Sequence, residues 1–484
     1  MAEQTNLSKW PIALFAIGIF MAALDNGIIS AALTTINASF SVSPSWGAWG
    51  ITLYTLGLAV SVPIIGKLSD RYGRKKLFMI EIALFGIGSL LVAVSSSFPM
   101  FLAARLIQSL GGGGIFIIGS SYVLTSLPKE SQGKTLGLLG GMNGIAAVLG
   151  PNIGSLLLDA TGNWHWLFLI NIPIAIILFI LGYLFINEHK LNIIKPLDFI
   201  GCIILSLAIL SIMLGITHLD SANFLNSLMD ISVYGYICMG VILFIALILY
   251  EKSLESRGGD PLLSYSLLSN RVFQWTLLIG MFSGALLAAI IFIPAYVEQY
   301  LGIASTKAGY WMTPLALASG IGAGLGGYLA DRKGSAFAIY LSAMISFVGF
   351  MLFPFWVTAK LSFVIASIAA GAGIGFLLGA PLNILATESA GDNKGSALGT
   401  LSLTRQIGMT LAPTIYAVFI TAGYEKISIA ATPNHAREEF AATAKTIMGD
   451  AFGNLYLTAA VISLLVLLSI TLLVRYKRNA LSEK

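Results

Sequence analysis

Long apolar runs dominate the chain, broken at short intervals by polar or charged turns. Counting windows of about 20 apolar residues, the length that crosses a bilayer as a helix, predicts fourteen helices. They run 11–34, 46–66, 76–97, 100–125, 135–158 and 164–187, then 198–218 and 231–251 after a polar connection, and finally 272–298, 306–330, 335–358, 361–386, 394–422 and 454–475. The tryptophans fall near predicted helix ends, as an interfacial aromatic belt requires. One long polar stretch remains, about 424–453. Within it, Ala436 to Phe452 reads either as a short amphipathic helix or as a mobile loop.

The pattern also repeats. G-x-L-x-D-R-x-G at Gly66 to Gly73 returns 261 positions later at Gly327 to Gly334. The same offset carries the start of the first helix onto the ninth, and brings Pro151 to within one residue of Pro413. The expected fold is therefore an all-α polytopic membrane protein built from two six-helix bundles related by an internal repeat. Residues 1–190 form the first bundle and 261–484 the second, the latter carrying the 424–453 loop on the outside. The two helices of 191–260 are inserted between the bundles and lie outside the repeat.

Composition agrees: 57% hydrophobic residues, 10% charged residues and a mean hydropathy of +0.87 leave too little polar surface for a water-soluble globule. The net charge of +5 does not signal nucleic acid, because the cations cluster at the ends of apolar runs. With an even number of crossings, 20 Lys and Arg lie on the side of both termini and five on the other. Both termini are thus expected in the cytoplasm, with the chain multi-pass in the cell membrane. The first apolar run is too long for a signal-peptide core and is expected to be retained. Cys202 and Cys238 lack metal-ligand spacing and nearby histidines, so no metal is expected. No G-x-x-x-x-G-K-[ST], HExxH or GxSxG pattern occurs, which argues against ATP as energy source, against membrane protease or esterase chemistry, and for no cofactor.

The most distinctive stretch is GKLSDRYGRKK, Gly66 to Lys76. It resembles the signature that the major facilitator superfamily carries between its second and third helices, filled here by Gly66, Leu68, Asp70, Arg71, Gly73, Arg74 and Lys75. FLAARLIQ around Arg105 and Gln108 resembles the R-x-x-Q-G motif of helix 4, with Ser109 in place of glycine. Gly141 to Ser155 resembles the antiporter motif of helix 5 through Gly141, Gly150, Pro151 and Gly154, with Ser155 in place of the final glycine. Asn163 to Ile174 resembles W-R-W-x-F-x-x-N-x-P, with His165 for arginine and Trp164, Trp166, Asn171 and Pro173 read as architectural. The six-two-six plan resembles the 14-helix drug:proton antiporter branch along the whole chain.

That resemblance implies a proton-coupled exporter of hydrophobic or cationic drugs working by alternating access in the lipid bilayer, as a monomer and without enzymatic chemistry. An importer or exporter of a metabolite or lipid-like substrate in the same superfamily, and a membrane sensor or enzyme, are the alternatives. Asp25, deep in helix 1, is expected either to couple protons or substrate or to make a structural hydrogen bond, and Asp25→Asn is expected to fold. Arg105, with Gln108, tunes that coupling or ties helices together. Arg405 in helix 13 joins the list as an intramembrane cation, and Glu298 as a residue of the outer vestibule. Glu81, Glu298 and Glu388 read as hydrated and uncoupled, the vestibule being the alternative for Glu298. Pro151 with its glycines is expected to bend helix 5. The conformational gate is expected at Gly66, Asp70, Arg71, Gly73 and Arg74, with Asp331 and Arg332 as repeat partners; Asp70 should meet the start of helix 13 near Asn393 to Ser396.

Overall fold

The computed structural model describes residues 10–42, 44–47, 49–188, 198–220, 223–303, 309–388, 390–391, 393–430 and 437–482. Fourteen long helices organise them: α1 Trp10–Ser39, α2 Trp49–Tyr72, α3 Arg74–Ala93, α4 Phe98–Ser126, α5 Lys129–Thr161, α6 Asn171–Phe185, α7 Phe199–Thr217, α8 Ile231–Ser256, α9 Arg271–Gln299, α10 Thr313–Lys333, α11 Ser335–Phe355, α12 Lys360–Thr387, α13 Lys394–Ala430 and α14 Arg437–Ser482. Twelve are long and apolar enough to cross a membrane, and α5, counted across its bend, makes a thirteenth. The exception is α10, whose 21 residues include five glycines and end in Asp331, Arg332 and Lys333, which together lower its hydropathy.

Helix starts follow local chemistry. Asp198 accepts the Gly201 N–H at 2.8 Å, Asp230 the Ser232 N–H at 2.9 Å, and Asn270 the Val272 N–H at 2.9 Å. Each satisfies an N–H that has no carbonyl partner inside its own helix. Between α2 and α3, Gly73 turns the chain at φ +100°, where a Cβ would also meet the Glu188 carboxylate. Glu188 in turn accepts the Lys75 and Lys76 N–H groups at the start of α3.

The halves have separate cores. One cluster, including Phe273, Tyr296, Phe350, Tyr416 and Tyr456, is drawn from α9 to α14 and their connections. Two clusters around Phe15, Phe78 and Phe85, and around Phe101, Trp164 and Phe168, belong chiefly to α1–α6. The inserted pair fills a third place: Leu205, Ile209 and Leu247 pack with Leu56 of α2 and Leu403 of α13. On the outside, α8 exposes Ile242, Ile245 and Leu249. Apolar surface on that scale belongs against lipid.

Two helices break as their sequences dictate. Proline lacks the N–H that would bond one turn back, and α5 bends by 44° between Ala146 and Leu149, just before Pro151. The α4 helix is interrupted at Gly113 and Gly114, where Glu81 of α3 accepts the Gly114 N–H at 2.7 Å. Glu81 is therefore fully buried, which corrects its reading as a hydrated group. Glu388 is ion-paired with Lys477 at a partly exposed position. The 424–453 loop is corrected too: α13 runs on to Ala430 and α14 begins at Arg437, leaving 431–436 outside the described residues. The extension is rich in Ala, Glu and Lys, and it buries Met448 and Phe452 on the second core.

The halves meet along two seams that obey the repeat. In one, α2 packs on α13; in the other, α5 packs on α10. At the first, a Cβ on Gly66 would collide with the Gly395 carbonyl; at the second, a Cβ on Gly327 would collide with that of Gly133. Gly327→Val should therefore force α5 and α10 apart while leaving each bundle helical. Overpacking of about 1–3 kcal/mol is roughly a 5–150-fold change in the closed-to-parted ratio. Disulfide trapping between Lys134→Cys and Arg332→Cys should fall accordingly, with unchanged helical circular dichroism; undiminished trapping would mean the seam tolerates the added volume.

Candidate functional site

Two polar constellations stand out inside this apolar frame. The first lies within the first bundle, in the half away from the Gly66–Lys76 turn. Asp25 of α1 accepts hydrogen bonds from Arg105 Nη1 at 2.6 Å, Gln108 Nε2 at 2.9 Å and Asn171 Nδ2 at 3.0 Å. Arg105 Nη1 also donates to Gln108 Oε1 at 2.7 Å, which fixes the orientation of that amide: a flipped Gln108 would turn donors toward the guanidinium. Gln108 and Asn171 both donate to Ser89 Oγ of α3, at 2.7 and 3.0 Å. Arg105 Nε reaches the Gly50 carbonyl at 3.3 Å, and its guanidinium lies 4.0 Å over the Tyr54 ring. All five network side chains are fully buried.

So α1, α4 and α6 are tied through one carboxylate, α3 through the two amides that share the Ser89 hydroxyl, and α2 through the arginine. The sequence brought Asp25, Arg105 and Gln108 together as candidates; Ser89 and Asn171 were missed as members. Asn171 carried a usable signal, since a primary amide near the start of an apolar helix needs partners, whereas a serine is too common in such helices to stand out. Three further buried atoms of this cluster, Arg105 Nη2, Asn171 Oδ1 and Tyr54 Oη, have no partner among the described residues. They leave hydrogen-bonding capacity next to the ion pair.

The second constellation sits at the other end of the molecule, on the seams. Asp70, fully buried at the end of α2, accepts Arg74 Nη2 at 2.9 Å and Ser121 Oγ at 3.3 Å from its own bundle. Across the seam it accepts the Gly395 N–H at 2.8 Å and the Ser396 N–H at 3.3 Å, in the first turn of α13. These are unpaired donors at a positive helix end, the natural seat of a carboxylate. The repeat-related Asp331 of α10 accepts the Gly133 and Lys134 N–H groups of α5 at 2.7 and 2.9 Å. Nearby, Lys67 pairs with Asp260 at 2.5 Å and Arg71 with the same carboxylate at 3.6 Å, fastening α2 to the segment after α8. Arg332 instead stacks at 4.7 Å from the Tyr328 ring.

The remaining candidates stand apart from both groups. Arg405 donates from Nε to Ser283 Oγ at 3.3 Å, while its Nη2 is buried without a partner among the described residues. Glu298 is exposed near the end of α9. Gly141 faces the Gly320 carbonyl on α10, and Gly150 packs on Gly27 of α1. Gly154 is buried past the bend; the Ser155 side chain lies outside what is described. His165 stacks on Trp164 and pairs with Asn163 in the turn before α6; partial burial lowers its pKa below the usual histidine value.

The class this defines is a multi-span helical membrane protein whose two bundles are fastened at one end by carboxylates on opposing helices, with a buried ion pair inside one bundle. The sequence pattern of the Major Facilitator Superfamily matches residues 15–413, and the chain belongs to that superfamily: it is a membrane transporter, not an enzyme. It is 69% identical over 427 residues, 88% of this chain and 82% of the other, to the uncharacterized MFS-type transporter YfiU of Bacillus subtilis strain 168. It is 30% identical over 430 residues, 87% and 81% of the two chains, to multidrug resistance protein 3 of the same organism. Among solved structures it resembles the human organic anion transporter MFSD10 with a TM-score of 0.61 at 14% identity, covering 96% of this chain and 99% of that one. It also resembles a bacterial homolog of the human lysosomal transporter Spinster, in an inward-facing conformation, with a TM-score of 0.56 at 16% identity and 98% coverage of both chains. At those identities the likeness speaks for the fold.

The buried ion pair makes a prediction that revises the expectation for Asp25→Asn. Removing one partner of a buried pair strands the other, at a cost of about 3–5 kcal/mol. Asp25→Asn should thus lower thermal stability in detergent, and adding Arg105→Gln should restore much of the loss. Additive losses in that double-mutant cycle would show the two groups to be energetically independent.

Proposed function

We propose that this protein is a proton-coupled exporter of hydrophobic or cationic compounds, working as a monomer in the cell membrane with both termini in the cytoplasm. The observation that carries the reading is the pair of carboxylates, Asp70 and Asp331, each crossing a seam to N–H groups on the opposite bundle. Such contacts can be made and released by rigid-body rocking without unfolding either bundle, which is what alternating access requires. The state described is then closed at the end bearing the Gly66–Lys76 turn, and the fourteen helices all cross the bilayer.

Coupling is assigned to Asp25. Its proton acceptance competes with Arg105, Gln108 and Asn171, so protonation loosens the tie among α1, α4 and α6, and deprotonation restores it. The bend of α5 beside Gly27 of α1 gives antiport a flexible wall, and the 30% identity to multidrug resistance protein 3 supports the drug class. A second reading, transport of a metabolite or lipid-like compound with an acidic group, is favoured by Arg405, whose guanidinium offers an unused donor inside the second bundle.

Purified protein in liposomes with an imposed pH gradient tests both readings. Lipophilic cations, neutral drugs and fatty acids are offered in turn, and substrate-linked proton movement is recorded. Export means movement of a lipophilic cation or neutral drug against its gradient in exchange for protons, abolished in Asp25→Asn. Flux of acidic compounds alone would leave the second reading standing, and wild-type flux in Asp25→Asn would remove Asp25 from the coupling path.

The seams carry their own prediction. A carboxylate at a helix N-terminus contributes about 0.3–1 kcal/mol, and up to ~2 kcal/mol when partly buried, while 1.4 kcal/mol is about tenfold in a population ratio. Asp70→Asn should shift distances between spin labels on the turn-side ends of the two bundles by about tenfold in population. Asp331→Asn should shift them by less than about fivefold, since its carboxylate is more exposed and lacks a guanidinium partner corresponding to Arg74. Unaltered distributions in both variants would leave topology as the motif's only demonstrated role.

A further inference from the structure

A cavity of about 410 Å³ opens on the side of the first bundle between α2, α3 and α4. Its walls are almost all hydrocarbon: Ile64, Ile80, Leu84 and Leu110 among them, with Ile80 and Leu110 exposed along the surface that faces lipid. The volume is that of a small-molecule site. Neither the buried ion pair nor the seams use it.

One lining residue does not fit a purely apolar groove. Glu81 is fully buried; Oε2 accepts the Gly114 N–H, and Oε1 has no partner among the described residues. The approach is built in. A Cβ at Gly114 would collide with Glu81 and with Ile65, so glycine is what lets the carboxylate reach the α4 break. An alkyl chain laid against this oxygen would leave it unsatisfied, whereas an ammonium would pair with it. Lys76 stands exposed at one end of the groove, its Nζ 5.7 Å from the Tyr72 ring, which disfavours a cation's approach from that end.

We propose that the groove between α2, α3 and α4 is a bilayer-facing binding site for single-chain amphiphiles with an ammonium head, the head on Glu81 and the chain along Ile64, Ile80, Leu84 and Leu110. The proposal concerns binding alone and stands whether or not such compounds are transported.

The test uses the full chain in phosphatidylcholine nanodiscs and a long-chain alkyltrimethylammonium probe carrying a diazirine near its head, with labelled residues located by mass spectrometry. Saturable labelling of Ile64, Ile80, Leu84 or Leu110 is expected, displaced by unlabelled alkyltrimethylammonium and not by an alkyl maltoside of equal length. Glu81→Gln keeps an acceptor for the Gly114 N–H, so its thermal unfolding should match wild type, while its half-saturation should rise at least about tenfold. Glu81→Asp keeps the charge and should fall between the two. Leu110→Trp fills the groove from its rim without touching the carboxylate and should also block labelling. Equal displacement by the maltoside, unchanged affinity in Glu81→Gln, or full labelling in Leu110→Trp would each overturn the site. Saturable labelling of the same residues by diazirine phosphatidylcholine, undisplaced by the ammonium, would make it a lipid site instead.

Discussion

A carboxylate placed on the first turn of a helix from the other bundle is the contact on which the arrangement of the halves depends. Asp70 is fully buried, and a buried carboxylate is costly unless its oxygens are hydrogen-bonded or paired. One oxygen is answered from home by Arg74 and Ser121, the other from across the seam by Gly395 and Ser396. When the bundles part at this end, the second oxygen loses its donors and must find water. Around these polar contacts the facing surfaces are close-packed, glycine against glycine in places and with Leu56 and Leu403 in one apolar cluster across the seam.

The second seam repeats the device in a weaker form. Asp331 meets Gly133 and Lys134 about a turn in from the start of α5, so it competes with carbonyls of the helix itself, and the residue that corresponds to Arg74 is Ser335. On the first seam the inserted helices add more: Asp260 binds Lys67 and Arg71, and the Ser396 hydroxyl donates to the Leu262 carbonyl at 2.9 Å. The α7–α8 pair is therefore seated over the stronger seam, touching both bundles there. The two seams of a two-fold fold thus differ: one is reinforced by polar contacts from the α7–α8 region, the other by close packing of α5 on α10.

Much of this was legible in the chain. The repeat and the charged turn follow from pattern and charge alone; the meeting of Asp70 with the start of α13 was implied by the resemblance to a two-bundle transporter, and a helix start is a seat that suits a carboxylate. Pro151 announced its bend because the lost hydrogen bond is a local fact. What escaped was decided by tertiary packing. Glu81 lies near the end of an apolar run and reads as hydrated, but the break in α4 brings an unpaired N–H to it, and no local pattern reveals that break to a residue on another helix. Counting apolar windows finds only the bilayer-crossing part of a helix, so the polar end of α13 escaped, while the helical start of α14 was one of two readings open for Ala436 to Phe452.

The two polar constellations lie at opposite ends of the first bundle, and α2, α3 and α4 each reach both; α4 is the one interrupted between them. Arg105 and Gln108 hold Asp25 from its first segment, and Ser121, on its second, touches both Asp70 and Arg74. Between them the helix is interrupted at Gly113 and Gly114, with the Glu81 carboxylate taking up the Gly114 N–H and the Ser61 hydroxyl bonding the Leu110 carbonyl at 3.0 Å. A continuous helix would pass a rotation at one end directly to the other. An interrupted one passes it only as far as the break is held stiff, and here it is held by side chains from α2 and α3. On the proposed reading, proton uptake at Asp25 frees the first segment of α4, and the break sets how much of that freedom reaches Ser121 and the seam. Physical coupling between distant sites requires an element with two arrangements that both sites bias. Of the three helices with a contact at each site, α4 is the one with a break between its contacts, where α2 and α3 run unbroken.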